Sequence, residues 1–304
     1  MFKFLETQKY PVILLALGVL LILGGFFELK DLTKLQISPY PDPHYFIASI
    51  GLVFSVSSAF LYLFDEVTFG WIGFRKIRKL DNGITAKLSN TNINIRFGML
   101  EKLAEASEDS LVVLPANEFF DDECINDKKS ALGSYINHRF TNQTKEVKDA
   151  IANGLSGRAY NEVEKEAGVL QKSYGVGVGV YVKKLLSSTQ PLLFVSVTTK
   201  RSGEGLRADM SYIFEAIKEI ERIVVDHRID SLYVPVLGSG HGGLRKEVSL
   251  FGILLAICDL VTKPGGHHIS DFNIVVYQRN NSDKPSISKA VSKRLLRIAT
   301  GMYS

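Results

Sequence analysis

The segment VPVLGSGHGGL, Val234 to Leu244, decides how the rest of the chain is read. It joins a short apolar run, SLYVPV (Ser231 to Val236), to an apolar stretch of helical length, Lys246 to Val261. A strand that runs through glycines into a helix can turn its backbone N–H groups toward one point, and the helix N-terminus adds positive potential there. The loop residues Leu237, Gly238, Ser239, Gly240, His241, Gly242, Gly243 and Leu244 are therefore a candidate anion cradle suited to a diphosphate. No Gly-Lys-Ser/Thr follows, so this is not a Walker loop, and the glycine spacing of the dinucleotide fold is absent. The same glycines fit a purely structural turn, and His241 fits a solvent-facing position as well as an acid–base role.

Strand and helix signals alternate on either side of this loop. Asn92 to Arg96, Ser110 to Leu114, Leu192 to Val197 and Phe272 to Tyr277 read as strands. Leu100 to Ser107, Ile125 to Phe140 and Thr144 to Leu155 read as helices. Met210, Ile213, Phe214, Ile217, Ile220 and Val224 recur at helical spacing and predict a long amphipathic helix, and Ser286 is expected to cap a terminal helix reaching about Thr300. Tyr174 to Val182 (YGVGVGVYV) reads as a strand with Gly175, Gly177 and Gly179 on one face, either a surface for close approach or a weakly specified edge. This order predicts an α/β fold, a mostly parallel mixed sheet flanked by helices on both faces. Ligands of such sheets bind beyond the carboxyl ends of the strands, which directs attention to the loops after Leu114, Val197 and Val236.

The loop after Leu114 reads PANEFFDDE, where Pro115 and Ala116 lead into Asn117. An asparagine there can hydrogen-bond a sugar hydroxyl or close an Asx turn. Phe119 and Phe120 suit stacking on a planar group or the core, and Asp121, Asp122 and Glu123 lack calcium-loop spacing. In the loop Thr198 to Gly205, Lys200 and Arg201 are candidate counter-charges for a ligand, or residues of an exposed loop.

Ahead of this region lie two uncharged apolar runs, PVILLALGVLLILGGFF (11–27) and YFIASIGLVFSVSSAFLYLF (45–64). Each is roughly 17 to 20 residues, enough for a helix to cross a ~30 Å hydrocarbon layer. The reading is a transmembrane hairpin, against core helices of an unusual fold or a signal peptide that lacks a cleavage site. Basic residues favour both termini in the cytoplasm: Lys3 and Lys9 come first, and Arg75, Lys76, Arg78 and Lys79 follow the second run. Phe69, Trp71 and Phe74 ahead of that cluster suggest an interfacial collar, or an ordinary linker with a stop-transfer signal. Ser55, Ser57, Ser58, Gly51 and Ala59 permit close helix packing. The expected organisation is a hairpin with collar over 1–80 and a cytoplasmic domain over 81–304.

The two cysteines, Cys124 and Cys258, form no metal pattern or disulfide framework, and no metal or cofactor is expected. The net charge of +4 owes part of itself to the juxtamembrane cluster, so nucleic acid is not an expected partner.

VVLPAN (Val112 to Asn117) and VPVLGSGHGGL resemble the asparagine-ended strand and the diphosphate loop of the macro domain, a fold that binds ADP-ribose and related nucleotides. The resemblance spans roughly Asn92 to Tyr277. It departs from the family pattern where Gly98, Met99 and Leu100 stand in place of Gly-Asp-Ile, which removes the aspartate that contacts adenine, and where Leu114 replaces the first asparagine of Asn-Ala-Ala-Asn. Two membrane helices ahead of a divergent macro domain are similar to the membrane effector of type II Thoeris anti-phage systems. That resemblance implies a bacterial inner-membrane protein that binds histidine-ADP-ribose made by a TIR-domain partner, assembles into a homo-oligomer and disrupts the membrane, causing cell death. It implies a binder and not an enzyme. The alternatives are a membrane-tethered ADP-ribosyl hydrolase, with Asn117 positioning water and His241 as acid or base, and a scaffold with a vestigial pocket.

Overall fold

The computed structural model describes residues 77–105, 109–186, 188–263, 269–280 and 282–303, together with 53, 55 and 56. The chain divides into two compact units, Met1–Phe74 and Arg75–Ser304. The first run (11–27), almost all of the second (45–64) and most of the collar lie outside the described residues; Val53, Ser55 and Val56 are helical. Among the described residues no helix is long and apolar enough to cross a membrane.

The second unit is built on an eight-stranded sheet in the order β1-β2-β3-β10-β9-β4-β8-β7. Its strands are β1 (Arg78–Leu80), β2 (Gly83–Leu88), β3 (Thr91–Gly98), β4 (Leu111–Asn117), β7 (Gly179–Val182), β8 (Leu192–Thr198), β9 (Ser231–Pro235) and β10 (Asp271–Tyr277). The five central strands run parallel, while β1, β2 and β7 are antiparallel additions at the edges. Strand β1 takes up Arg78–Leu80, the last three residues of the expected collar. A separate hairpin, β5 (Asn161–Glu166) and β6 (Val169–Ser173), completes the strands.

Alternation along the buried strands feeds two cores. Leu111 and Val113 face one side, and Val112 and Leu114 the other. The first side is covered by α5 (Met210–His227), α6 (Lys246–Thr262) and α7 (Lys289–Met302). Helix α6 is apolar nearly all round because it packs against both α5 and α7. The second side carries α1 (Leu100–Glu105), α2 (Asp122–Asn126), α3 (Ala131–Arg139) and α4 (Thr144–Leu155).

Three local expectations are corrected. The helix expected over Ile125 to Phe140 is broken between α2 and α3, because Ser130 caps α3 by accepting from Gly133 N at 2.8 Å and Asp127 accepts from Lys129 N at 2.9 Å. The strand expected over Tyr174 to Val182 is only Gly179–Val182: Gly175 and Gly177 have φ of 85° and 81°, so the three glycines share no strand face. The terminal helix is capped by Ser288, not Ser286, whose N–H instead donates to Tyr277 O at 2.8 Å.

Candidate nucleotide cavity at the carboxyl ends of the strands

A cavity of about 510 Å³ opens at the carboxyl ends of β3, β4, β8, β9 and β10. Pro115 and Ala116 of β4, Val197 and Thr198 of β8, and Pro235 and Val236 at the end of β9 form its floor. A register shift between Ala116 and Asn117 ends the regular pairing of β4 at that floor.

One wall is the glycine loop. Gly238, Ser239, Gly240, His241 and Gly242 all line the cavity. Gly238 has φ of 64°, and a Cβ on Gly242 would stand 2.7 Å from Gly238 O, 2.8 Å from Ala208 Cβ and 2.9 Å from Thr198 Cγ2. The loop is therefore so tightly folded that only glycine fits at 242. Gly242 O accepts from Ala208 N at 2.8 Å and Gly238 O accepts from Leu244 N at 3.2 Å, which hold the loop's carbonyls inward. The backbone N–H groups of Ser239, Gly240, His241 and Gly242 donate to no group among the described residues. Lys246, the first residue of α6, lines the cavity; no side chain caps that helix, and Glu247 in its first turn offsets part of the positive end of its dipole.

The opposite wall comes from α1 and the α2–α3 turn, with Glu101, Cys124, Lys128, Lys129, Ser130 and Ser134. Glu101 is 4% exposed; one carboxylate oxygen accepts from Ser134 Oγ at 2.8 Å and the other has no partner among the described residues. His241 Nε2 lies 3.1 Å from Asp127 Oδ2, so the glycine loop is tied to the α2–α3 turn across the cavity. The Cys124 thiol is pushed up to about 11, first by burial and then by the Asp121 charge, and stays neutral near neutral pH. Among the described residues no cluster of His, Cys, Asp and Glu could hold a metal ion.

Several residues singled out in the sequence lie elsewhere. Asn117 is fully buried; its Oδ1 accepts from Phe119 N at 3.1 Å and its Nδ2 donates to Asp121 Oδ1 at 3.0 Å, which is the Asx-turn arrangement. Phe119 and Phe120 are buried. Lys200 pairs with Glu166 at 3.3 Å and Glu123 at 3.6 Å, and Arg201 pairs with the buried Glu118, so neither cation faces the cavity. Leu237 is fully buried and Leu244 packs against the same core, while Gly243 only turns the chain at φ 70°. The residues the sequence reading missed are those of the second wall. Their signal was present in the run NDKKS (Asn126 to Ser130), whose capping residues mark a helix break and whose lysines then belong to a turn.

The family model described as "Thoeris protein ThsA, Macro domain" matches residues 93–277. The chain belongs to that family. Among solved structures it is similar to the Oceanobacillus iheyensis macrodomain with MES bound, at 10% identity and a TM-score of 0.50, covering 71% of this chain and 96% of that one. The same macrodomain with ADP gives 10% identity and a TM-score of 0.50, over 71% and 95%. A glycine-to-valine mutant of it with ADPR gives the same identity and score, over 71% and 97%. These likenesses establish the macro-domain fold. No curated protein matches the chain.

Proposed function

We propose that the cavity captures an ADP-ribose-type nucleotide and that the chain is the effector of a Thoeris-type antiviral system. The observation that carries this is the set of four unsatisfied N–H groups at Ser239, Gly240, His241 and Gly242, next to the uncapped start of α6 and Lys246. Of these residues only Gly242 is buried, so the others offer their N–H groups to whatever enters the cavity, and a diphosphate supplies acceptors and charge together. Lys128 and Lys129 across the cavity complement the same charge. The free oxygen of Glu101 is an acceptor suited to the exocyclic amine of adenine, and it would serve in place of the aspartate that Met99 removes. The Oceanobacillus iheyensis macrodomain has been solved with ADP and with ADPR, which supports this ligand class.

The wider reading is a domain over 81–304 held in the cytoplasm by a transmembrane hairpin over 1–80, with spans at 11–27 and 45–64 in the bacterial inner membrane. Histidine-ADP-ribose from a TIR-domain partner drives homo-oligomer formation, membrane disruption and cell death. Ligand shifts such an equilibrium only by binding the assembled state more tightly, and a near-complete switch takes roughly 5 kcal/mol of preference. The exposed Val53 and Val56 in the second run fit a helix facing lipid. The ligand-binding role of Pro115, Ala116 and Gly238 through Gly242 belongs to this proposal. Asn117, Lys200 and Arg201 act at one remove, by holding the loops that form the floor and rim.

Binding without turnover is favoured because the Asn117 amide is committed to its turn and the Cys124 thiol stays neutral. A hydrolase draws support only from the His241–Asp127 pair, which has the form of an oriented acid–base couple. Calorimetry on the detergent-solubilised full chain with ADP-ribose and histidine-ADP-ribose tests binding. Mass spectrometry of an ADP-ribosylated peptide tests turnover: binding with an intact peptide supports the effector, and release of ADP-ribose supports the hydrolase.

A further inference from the structure

Helix α7 closes one edge of the sheet with an outer surface that is basic and free of acid. Its residues Val291 and Leu295 pack into the core beside α6, while Lys289, Lys293 and Arg297 recur every four residues on the opposite flank, with Arg294 next to them. Lys289, Lys293 and Arg294 are exposed and Arg297 is half-buried. Lys289 Nζ lies 5.5 Å from the Phe97 ring centroid; Lys293 and Arg297 form no ion pair among the described residues. Helix α7 packs on β2, so the flank turned away from α6 is turned toward the free edge of the sheet. There β1 pairs Lys79 with Ile84, and directly opposed residues of an antiparallel pair share a face. Ile84 belongs to the core under α5, α6 and α7, so the exposed Lys79 projects on the side that α7 covers. The nearest acids in sequence are Asp81 in the β1–β2 turn and Asp283 ahead of α7, and Asp283 is engaged by Asn280 Nδ2 at 3.4 Å.

We propose that this face, Lys79 with Lys289, Lys293 and Arg297, is a docking surface for the anionic headgroups of the bilayer. The inference rests on the membrane reading given above and extends it to the folded domain. The position of the face in the chain favours lipid over another polyanion. Residue 77 enters the sheet at this edge, roughly a dozen residues after Phe64 ends the second apolar run, and Arg75 and Lys76 continue the same charge toward that run. A surface so tethered meets headgroups at high effective concentration, whereas a nucleic acid must come from solution. Docking there holds the sheet edge against lipid and leaves the cavity wall built from α1 and α3 on the other side of the sheet.

The test uses the full chain reconstituted into vesicles of phosphatidylcholine alone or with phosphatidylglycerol. Acetylation of lysines by an amine-reactive ester is followed by mass spectrometry. Lys289 and Lys293 are expected to react about fivefold or more slowly in the anionic vesicles, with the difference removed at high salt, while Lys102 and Lys145 on the opposite face keep their rates. The double variant K293E/R297E should restore the reactivity of Lys289 in vesicles that still carry the protein. Equal rates at Lys289 and Lys293 in the two vesicle types, in protein that co-floats with lipid, overturn the docking surface and leave the membrane reading intact. Protein that does not co-float overturns both. Protection by duplex DNA in detergent, without protection by anionic vesicles, assigns the face to nucleic acid and overturns the proposal.

Discussion

Replacing Glu101 by glutamine isolates the base-reading step of nucleotide capture. Glu101 is 4% exposed and its second oxygen has no partner among the described residues, so the carboxylate can spend that oxygen on a ligand amine without giving up Ser134. A hydrogen bond to a buried charged group is worth about 1.5–3 kcal/mol, and a neutral one about 0.5–1.5 kcal/mol. The amide keeps an acceptor, so the expected loss is the difference, about 1–2 kcal/mol, or roughly 5- to 30-fold in Kd for ADP-ribose. Hypoxanthine presents a carbonyl where adenine presents the amine. Wild-type protein should therefore reject the inosine analogue of ADP-ribose by about a hundredfold, because two buried acceptors would face each other. The glutamine NH2 can donate to that carbonyl, so the variant should narrow the discrimination to within about tenfold. Calorimetry with both nucleotides measures the ratio, and thermal unfolding shows that the fold is retained. Equal discrimination by Glu101 and Glu101→Gln would refute the assignment of this carboxylate to the base.

Two glycines of the loop separate folding from binding. Gly242→Ala drives a Cβ to 2.7 Å from Gly238 O and should lower stability by about 1–3 kcal/mol in denaturant titrations, whereas a Cβ on Gly240 meets nothing within 4 Å, so Gly240→Leu should unfold normally yet lose nucleotide binding by more than about tenfold. Lys165 is buried with Nζ 2.6 Å from Asp121 and 3.0 Å from Glu123. Burial opposes its charge, but the hydrogen bonds it donates to those carboxylates, with their negative charge, outweigh it and hold the ammonium above its usual range. Lys165→Met leaves the Asp121 carboxylate without its cation, while Glu123 keeps Lys200 at 3.6 Å, and should cost about 3–5 kcal/mol, read as a large fall in Tm; a Tm unchanged within error would show the pair to be inert. Cys124, raised to about 11, should react with iodoacetamide at pH 8 roughly 10²-fold more slowly than an ordinary thiol and gain rate steadily as pH rises toward 11. A rate at pH 8 equal to that of free cysteine would contradict the buried, neutral thiol.

The parallel strands β3, β4, β8, β9 and β10 were legible because they are short apolar runs bounded by loops, whereas the edge strands β1 and β2 and the β5–β6 hairpin were not anticipated. The glycine loop was legible for the same reason: few other turns need so many glycines between a strand and a helix. Asn117 was ambiguous because sugar binding and the Asx turn demand the same residue at the same place. Only the positions of Phe119 N and Asp121, at 3.1 Å and 3.0 Å, decide between them. The ion pairs of Lys200 and Arg201 were not legible because their partners, Glu118, Glu123 and Glu166, lie far off in sequence or on a hairpin with no strong apolar signal. The second wall was hidden by reading Ile125 to Phe140 as one helix, which left Lys128 and Lys129 inside a helix instead of in the turn between α2 and α3.

The central claim is that nucleotide capture in the cavity changes what the chain does to a membrane. The most direct measurement is dye release from vesicles carrying the full-length protein, with histidine-ADP-ribose added to wild-type and Gly240→Leu protein side by side. The account predicts release that depends on the nucleotide in wild-type protein and is absent from Gly240→Leu at the same ligand concentration. Release that proceeds equally with and without nucleotide, or equally in both proteins, would contradict it.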